Sequence, residues 1–225
     1  MRIATWNIER FKHRKHANEM HSLCQAQKAD ILVLTETDRN FSQHYPYEFH
    51  TPCLSEAPTN YQTPATYGIS ENRVSIYTRY PCLEQYNTSD KFTSICVKLK
   101  TDFGNLMVYG TIIGITGNRS PNFKAELLSQ VNDIEMLSKK ENICVCGDFN
   151  CSFSDNYYFT NFARDTFLKF FTRNKMQILT IDSPECIDHI AISTDFTKRF
   201  KYNIFEWNLN KSLSDHKGIG LDLQH

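Results

Sequence analysis

The apolar run Ile143-Cys144-Val145-Cys146 empties into Gly147-Asp148-Phe149-Asn150, which reads as a buried strand delivering an acid and an amide to its carboxyl end. Glycine lets the backbone turn tightly there, so Asp148 and Asn150 can point into one cleft. Gly, Asp and Asn also favour plain turns, and the tetrapeptide gains its meaning from three other segments. Ala4-Thr5-Trp6-Asn7, Leu32-Val33-Leu34-Thr35-Glu36 and Ser214-Asp215-His216 each place a polar or ionisable group just past an apolar run. Adding Asp188, the chain brings the carboxylates of Glu36, Asp148, Asp188 and Asp215, the amides of Asn7 and Asn150 and the imidazole of His216 to strand ends.

Several carboxylates converging in a low-dielectric cleft repel one another unless they are protonated or a cation joins them. Magnesium suits such a site, because it is hard, prefers oxygen ligands and binds through one or two carboxylates plus water and substrate phosphate. Zinc is disfavoured, since only His189 and His216 sit in motifs and zinc takes more His or Cys. Phosphate esters are the substrates that most need such help, with accelerations beyond ~10¹⁷-fold. A bound cation shields phosphate charge and stabilises the leaving oxygen. A carboxylate held by an amide can orient and deprotonate water for in-line attack on phosphorus, and an imidazolium paired with an acid supplies positive charge to the phosphoryl group. Glu36 then serves the metal, Asp148 with Asn150 the water, and His216 is oriented by Asp188. Asp215 is a second carboxylate for metal or water.

Strands must position these groups. The patterning predicts them at Arg2–Asn7, Ile31–Thr35, Val74–Thr78, Phe92–Lys100, Leu106–Ile113, Ile143–Gly147, Ile187–Ser193 and Ile219–Leu223, with a hairpin turn at Thr101-Asp102-Phe103-Gly104. Helices are predicted over His16–Lys28, from Ser120-Pro121-Asn122-Phe123 to about Lys140, and over Tyr157–Phe171. The stretch from Phe41 to Asn72, with Pro46, Pro52, Pro58 and Pro64, reads as a long irregular loop of the kind that shapes substrate access. No repeat or linker divides the chain, so one domain over residues 1–225 and a sandwich of sheets flanked by helices are expected.

Composition sets the bounds. Apolar residues make up 40% and charged residues 22%, and 25 Lys and Arg balance 25 Asp and Glu. A nucleic-acid substrate would therefore need a local basic patch rather than a basic protein. The amino terminus runs into a strand without an export signal, and no apolar stretch reaches the ~20 residues of a spanning helix. The eight cysteines sit at small apolar positions, and Cys144-x-Cys146 has no second pair at zinc-ligand spacing. A reduced, cytoplasmic protein is expected. No obligate protein partner can be inferred.

In this order and at these positions, Thr5-Trp6-Asn7, Glu36, Gly147-Asp148-Phe149-Asn150, Ile187-Asp188-His189-Ile190 and Ser214-Asp215-His216 make the chain resemble the endonuclease/exonuclease/phosphatase family over essentially its whole length. That family is typified by pancreatic-type deoxyribonucleases and magnesium-dependent abasic-site endonucleases. The resemblance implies a four-layer α/β/β/α sandwich of two mixed sheets flanked by helices, a Mg²⁺ ion or Mn²⁺ in its place, and hydrolysis of phosphodiesters or phosphomonoesters. It implies Glu36 as metal ligand, Asp148 and Asn150 at the nucleophilic water, Asn7 near metal or phosphate, and an Asp188–His216 pair on the phosphate. Asp215 is added to the metal set. One departure stands out: Ile112, in Val108-Tyr109-Gly110-Thr111-Ile112-Ile113-Gly114, occupies the place where family members carry His or Tyr. Tyr109 or Thr111 then substitutes, depending on register.

Other residues fit blander roles. Trp6 reads as core, His189 as a structural histidine facing away from the cleft, and the aromatics of Tyr157–Phe171 as core rather than a base-stacking platform. The cluster Arg10, Lys12, His13, Arg14, Lys15 and His16 is either a solvated loop or a phosphate-steering patch. Asn118 and Arg119 lie where they could touch phosphate, and Arg79-Tyr80-Pro81 reads as a structural turn. The leading expectation is a Mg²⁺-dependent phosphodiesterase, a nuclease on DNA or RNA. The alternatives are a phosphatase of a small phosphorylated molecule or lipid head group, and a catalytically silent binding module on the same fold.

Overall fold

Alternation along each strand decides which side chains reach the site. The computed structural model describes residues 1–58, 61 and 66–224. In chain order it forms β1 (Arg2–Asn7), α1 (Ala17–Ala26), β2 (Ile31–Asp38), β3 (Tyr47–His50), β4 (Glu71–Thr78), β5 (Cys82–Tyr86), β6 (Ser94–Thr101), β7 (Gly104–Ile112), α2 (Phe123–Ser138), β8 (Ile143–Asp148), α3 (Asn161–Arg173), β9 (Met176–Ile178), β10 (Asp188–Ser193), α4 (Thr194–Thr197), β11 (Lys201–Trp207) and β12 (Gly218–Gln224).

Among the described residues the strands make two six-stranded sheets, ordered β11-β12-β1-β2-β4-β3 and β5-β6-β7-β8-β10-β9. Both are mixed: β1–β2 and β7–β8 run parallel, whereas β1–β12 and β8–β10 run antiparallel. The sheets bury an apolar layer between them, with Ile3, Val33 and Val74 facing Val108, Cys146 and Ile190. Their outer faces are covered on one side by Met20 and Cys24 of α1 over Trp6 and Leu34, and on the other by α2 and α3 over Tyr109, Val145 and Ala191. The four-layer α/β/β/α order expected from the sequence is the observed one.

The period of two then does the positioning. Cys144 and Cys146 face the inter-sheet layer, so Asp148, two residues on, closes that layer at its end. Ile190 and Ile192 carry Asp188 to the same face, and Ile3 does so for Asn7. Two sheets thus deliver polar groups to one end of a shared core.

The predicted strands all form, and the hairpin turn falls between β6 and β7 as read. The structure adds β3, β5, β9 and β11, which lie at or next to sheet edges and alternate too weakly to be seen in sequence. The third helix begins later than predicted: Thr160 is its N-cap, its hydroxyl accepting the Ala163 N–H at 3.1 Å, which leaves Tyr157, Tyr158 and Phe159 in the preceding loop. Pro121 precedes α2 rather than lying in its first turn. The long loop holds β3 and a 3₁₀ turn over Leu54–Glu56, while Pro64 lies outside the described residues. All eight cysteines are free, and seven are buried. No helix among the described residues is long and apolar enough to cross a membrane.

Candidate active site

Asp148 is the most tightly held acid in the molecule's cleft. Its Oδ2 accepts the Asn7 side-chain amide at 3.1 Å and that of Asn150 at 3.3 Å, and its Oδ1 accepts the Asn150 backbone N–H at 2.7 Å. Asn150 takes a left-handed backbone, φ 48°, which Asn tolerates, and its amide also reaches the Ile113 carbonyl at 3.0 Å. Burial, reinforced by the Asp188 charge, pushes the Asp148 carboxyl up to about 8, against the pull of His216 and the Asn150 N–H.

His216 faces it. Its Nδ1 donates to Asp188 Oδ2 at 2.6 Å. Burial alone would favour neutral imidazole, but Asp188, with Asp148 and Asp215 behind it, raises the ring to about 10, so it is an imidazolium at neutral pH. Its Nε2 lies 3.7 Å from Asp215 Oδ1. The second Asp188 oxygen is buried without a hydrogen-bond partner among the described residues.

Several contacts hold the Ser214–His216 loop in place. Ser214 Oγ donates to the Asn7 carbonyl at 2.7 Å and accepts the His216 N–H at 3.1 Å. The His216 carbonyl accepts Trp6 Nε1 at 3.0 Å and Asn208 Nδ2 at 2.7 Å. Trp6 is fully buried, as read, yet it also pins the histidine from below. Glu9 is the residue that sequence reasoning missed. Its backbone N–H donates to Asn7 Oδ1 at 2.8 Å, and its Oε2 accepts the Asp215 N–H at 3.2 Å. Its only sequence signal was its place two residues after Asn7.

Glu36 enters by a backbone device. Leu32 and Leu34 face α1, so plain alternation would send Glu36 outward too. Instead it adopts φ 48°, an uncommon conformation for a non-Gly residue, and such outliers concentrate at functional sites. Burial raises its carboxyl, while His216, Arg73 and Lys12 pull it down and Asp215 pushes it up. Glu36 therefore shares one electrostatic field with His216, Asp215 and Asp148. Among the described residues no hydrogen bond or ion pair holds its carboxylate.

That arrangement fits a hard divalent cation. The tightest group of ligand-capable atoms is Asp148, Asp188 and His216, within 4.8 Å of one another. Asp188 and His216 are already committed to each other at 2.6 Å, so a cation there would compete with an ion pair. Among the described residues Glu36 is the carboxylate there without a hydrogen-bond or ion-pair partner, and Asp215, with 68% of its side chain exposed, is the second oxygen donor in reach of the same field. Asn7 has its oxygen engaged by Glu9, which turns its amide toward Asp148.

The structure brings Asn7, Glu36, Asp148, Asn150, Asp188, Asp215 and His216 to one end of the sandwich. It does not bring Tyr109 or Thr111 there. Tyr109 is buried on the α2 side with its hydroxyl on Asp133 at 3.3 Å, and Thr111 is buried against Gln130. Ile112, which pairs with Asp148 across the parallel ladder, is buried in the inter-sheet layer. Asn118 adjoins the site, donating to the Asn150 carbonyl at 2.8 Å, and Arg119 flanks it beside a separate cavity with Lys124. His189 points away, as read, bonded to Thr180 and to the Cys151 and Cys186 carbonyls. Arg10 is spent on Glu71, Lys12 and His13 on Glu9, and His16 on Glu19, which leaves Arg14 and Lys15 as the exposed residues of the basic cluster without an ion pair among the described residues.

The profile of the endonuclease/exonuclease/phosphatase family matches residues 4–216. No curated protein matches the chain. Among solved structures, an endonuclease/exonuclease/phosphatase from Beutenbergia cavernae is similar at 14% identity and TM-score 0.74, covering 100% of this chain and 71% of that one. A Neisseria 3′ phosphatase bound to product DNA hairpin is similar at 16% identity and TM-score 0.70, and an Archaeoglobus fulgidus AP endonuclease at 13% and 0.70, each covering 100% of both chains.

Proposed function

The chain belongs to the endonuclease/exonuclease/phosphatase family and is a metal-dependent phosphoric ester hydrolase, and within that class we propose a Mg²⁺-dependent phosphodiesterase that cleaves nucleic acid. The observation that carries this reading is Asp148, clamped by Asn7 and Asn150 and set against the Asp188–His216 pair. DNA is favoured over RNA because relatives of the same fold include a phosphatase bound to a DNA hairpin and an AP endonuclease.

Glu36, with Asp215, would hold the cation, which when bound supplies charge neutralisation on the phosphate and the leaving oxygen. Asp148 takes the proton of the attacking water. Its high proton affinity makes it a competent base near neutral pH, and the two Asn contacts fix which lone pair faces the water. His216 keeps its proton and donates Nε2–H to a phosphoryl oxygen, held in orientation by Asp188.

Hydrolysis of a generic phosphodiester and of DNA, with Mg²⁺ and with EDTA, tests the reading. We expect turnover only with the metal. Asp148→Asn and His216→Ala should each lower kcat by ~10²–10⁴-fold with folding retained, and Glu36→Gln should raise the Mg²⁺ concentration needed for half-maximal rate. A near-full rate in either of the first two variants would overturn that residue's role. The buried Ile112 supports a second reading, a small-molecule phosphatase, because an apolar side chain stands where the family carries His or Tyr toward the leaving group. Faster turnover of phosphomonoesters than of DNA would favour it.

A further inference from the structure

Beside His216 opens a cavity of about 390 Å³, walled by Tyr157, Tyr158, Glu185, Cys186, Asp215 and Lys217. Its size is that of a small-ligand pocket, and it meets the reacting position through Asn150 and His216, which also line it. The proposed reaction does not use Tyr157 or Glu185.

The charges around this cavity are already matched. Lys217 donates to Glu206 at 2.7 Å, His216 to Asp188 at 2.6 Å, and Lys211 at the rim lies 3.6 Å from Glu185. Asp215 remains as an exposed acid with only the longer His216 contact. Among the described residues, no lining cation is left over for a second phosphate, and an anion seated here would face Glu185, the lining acid that the proposed metal site does not use.

The rim is built at a cost in backbone strain. Glu185 and Lys211 both take left-handed backbones, φ 48° and 54°, which non-Gly residues adopt rarely. The Glu185 N–H is held by Asp155 Oδ2 at 2.6 Å, and Lys211 Nζ reaches the Tyr157 hydroxyl at 2.9 Å while lying 4.2 Å from the ring centroid. Tyr157 remains 48% exposed and Glu185 has 67% of its side chain in solvent. Lys211 lies against Glu185 Oε2, and among the described residues Oε1 has no partner, so it remains free to accept a hydrogen bond from a ligand.

A flat aromatic ring beside a carboxylate suits a sugar ring, whose C–H face packs on the tyrosine while its hydroxyls donate to the acid. We propose that this cavity seats the terminal nucleoside of a strand, whose sugar is uncharged and hydroxyl-bearing at its free end, and discriminates against esters whose sugar carries a further phosphate. The inference rests on the phosphoesterase reading and narrows its substrate class.

The test compares thymidine 5′-(4-nitrophenyl phosphate) with the same compound bearing a 3′-phosphate, read as the ratio of their kcat/KM values. Partial loss of folded protein cancels in that ratio. The native enzyme should favour the first by about tenfold or more. Glu185→Lys should bring the ratio to about one or invert it, and Lys211→Ala, which bares Glu185, should widen it. A native ratio near one, or a ratio that Glu185→Lys leaves unmoved, overturns the proposed seat. Failure to cleave either compound or bis(4-nitrophenyl) phosphate with Mg²⁺ or Mn²⁺ would instead bring down the phosphoesterase reading beneath it.

Discussion

Two neighbouring histidine environments show how far a side chain's surroundings set its chemistry. His216 is buried beside an acid and rises to about 10, whereas His189 is buried among carbonyls and a hydroxyl and falls to about 4. His189 Nε2 meets two backbone carbonyls, so the neutral tautomer protonated there fits, with Nδ1 accepting from Thr180. The folded state holds this ring neutral below the ordinary histidine pKa, so the unfolded chain binds more protons between about 6.5 and 4. Stability from this group is therefore full above about pH 6.5 and is lost as pH falls toward 4, by roughly 3 kcal/mol. Urea unfolding of native protein and His189→Gln at about pH 7 and pH 4.5 checks this: the variant should be less stable at the higher pH but should lose less on acidification. An unchanged pH slope would refute it. The residue types of the site were legible in sequence, because acids and amides after apolar runs are conspicuous. The role of Glu9 was not, since nothing in a sequence says that its side chain returns to Asp215.

At the level of strands and helices, legibility followed hydrophobic contrast. Patterning marks β1 to its observed ends, and β8 and β10 to within one residue, because their runs are continuous and buried. It does not mark β5 and β11, because most of their residues are exposed and an edge strand needs no apolar stripe. Tyr109 and Thr111 failed as substrate contacts for a reason of parity: the α2 face of β7 took the odd-numbered side chains, and the inter-sheet face took Ile112. Glu36 reached the cleft only through its positive φ, which sequence patterning does not reveal. The start of β8's catalytic turn is the most exacting point in the ladder. A Cβ on Gly147 would lie 1.9 Å from the Thr111 carbonyl oxygen, and its φ is 143°. We expect Gly147→Ala to destabilise the protein by about 3 kcal/mol or more and to lower Tm by roughly 10 °C, as calorimetry would register. Wild-type melting in that variant would mean that β7 and β8 can separate without penalty.

For the molecule as a whole, the balance of 25 basic and 25 acidic residues limits how it can hold a polyanion. Much of the basic cluster after Asn7 is paired with acids, so beside the site only part of it, Arg14 and Lys15, is free to displace counterions. We expect log K for DNA binding by Asp148→Asn to fall with log salt at a slope no steeper than about −4 between roughly 50 and 200 mM, by fluorescence anisotropy. A markedly steeper slope would reveal a basic track that the paired charges conceal. The two-sheet construction has a further effect. Asn7 and Glu36 ride on one sheet, Asp148 and Asp188 on the other, with greasy side chains such as Val33 and Ile190 as the spacer. Shaving a methyl from that spacer lets the halves of the reacting centre drift by fractions of an ångström, the scale on which proton transfer fails. Catalysis here is thus a calliper on interior packing, losing speed while the melting curve still looks healthy.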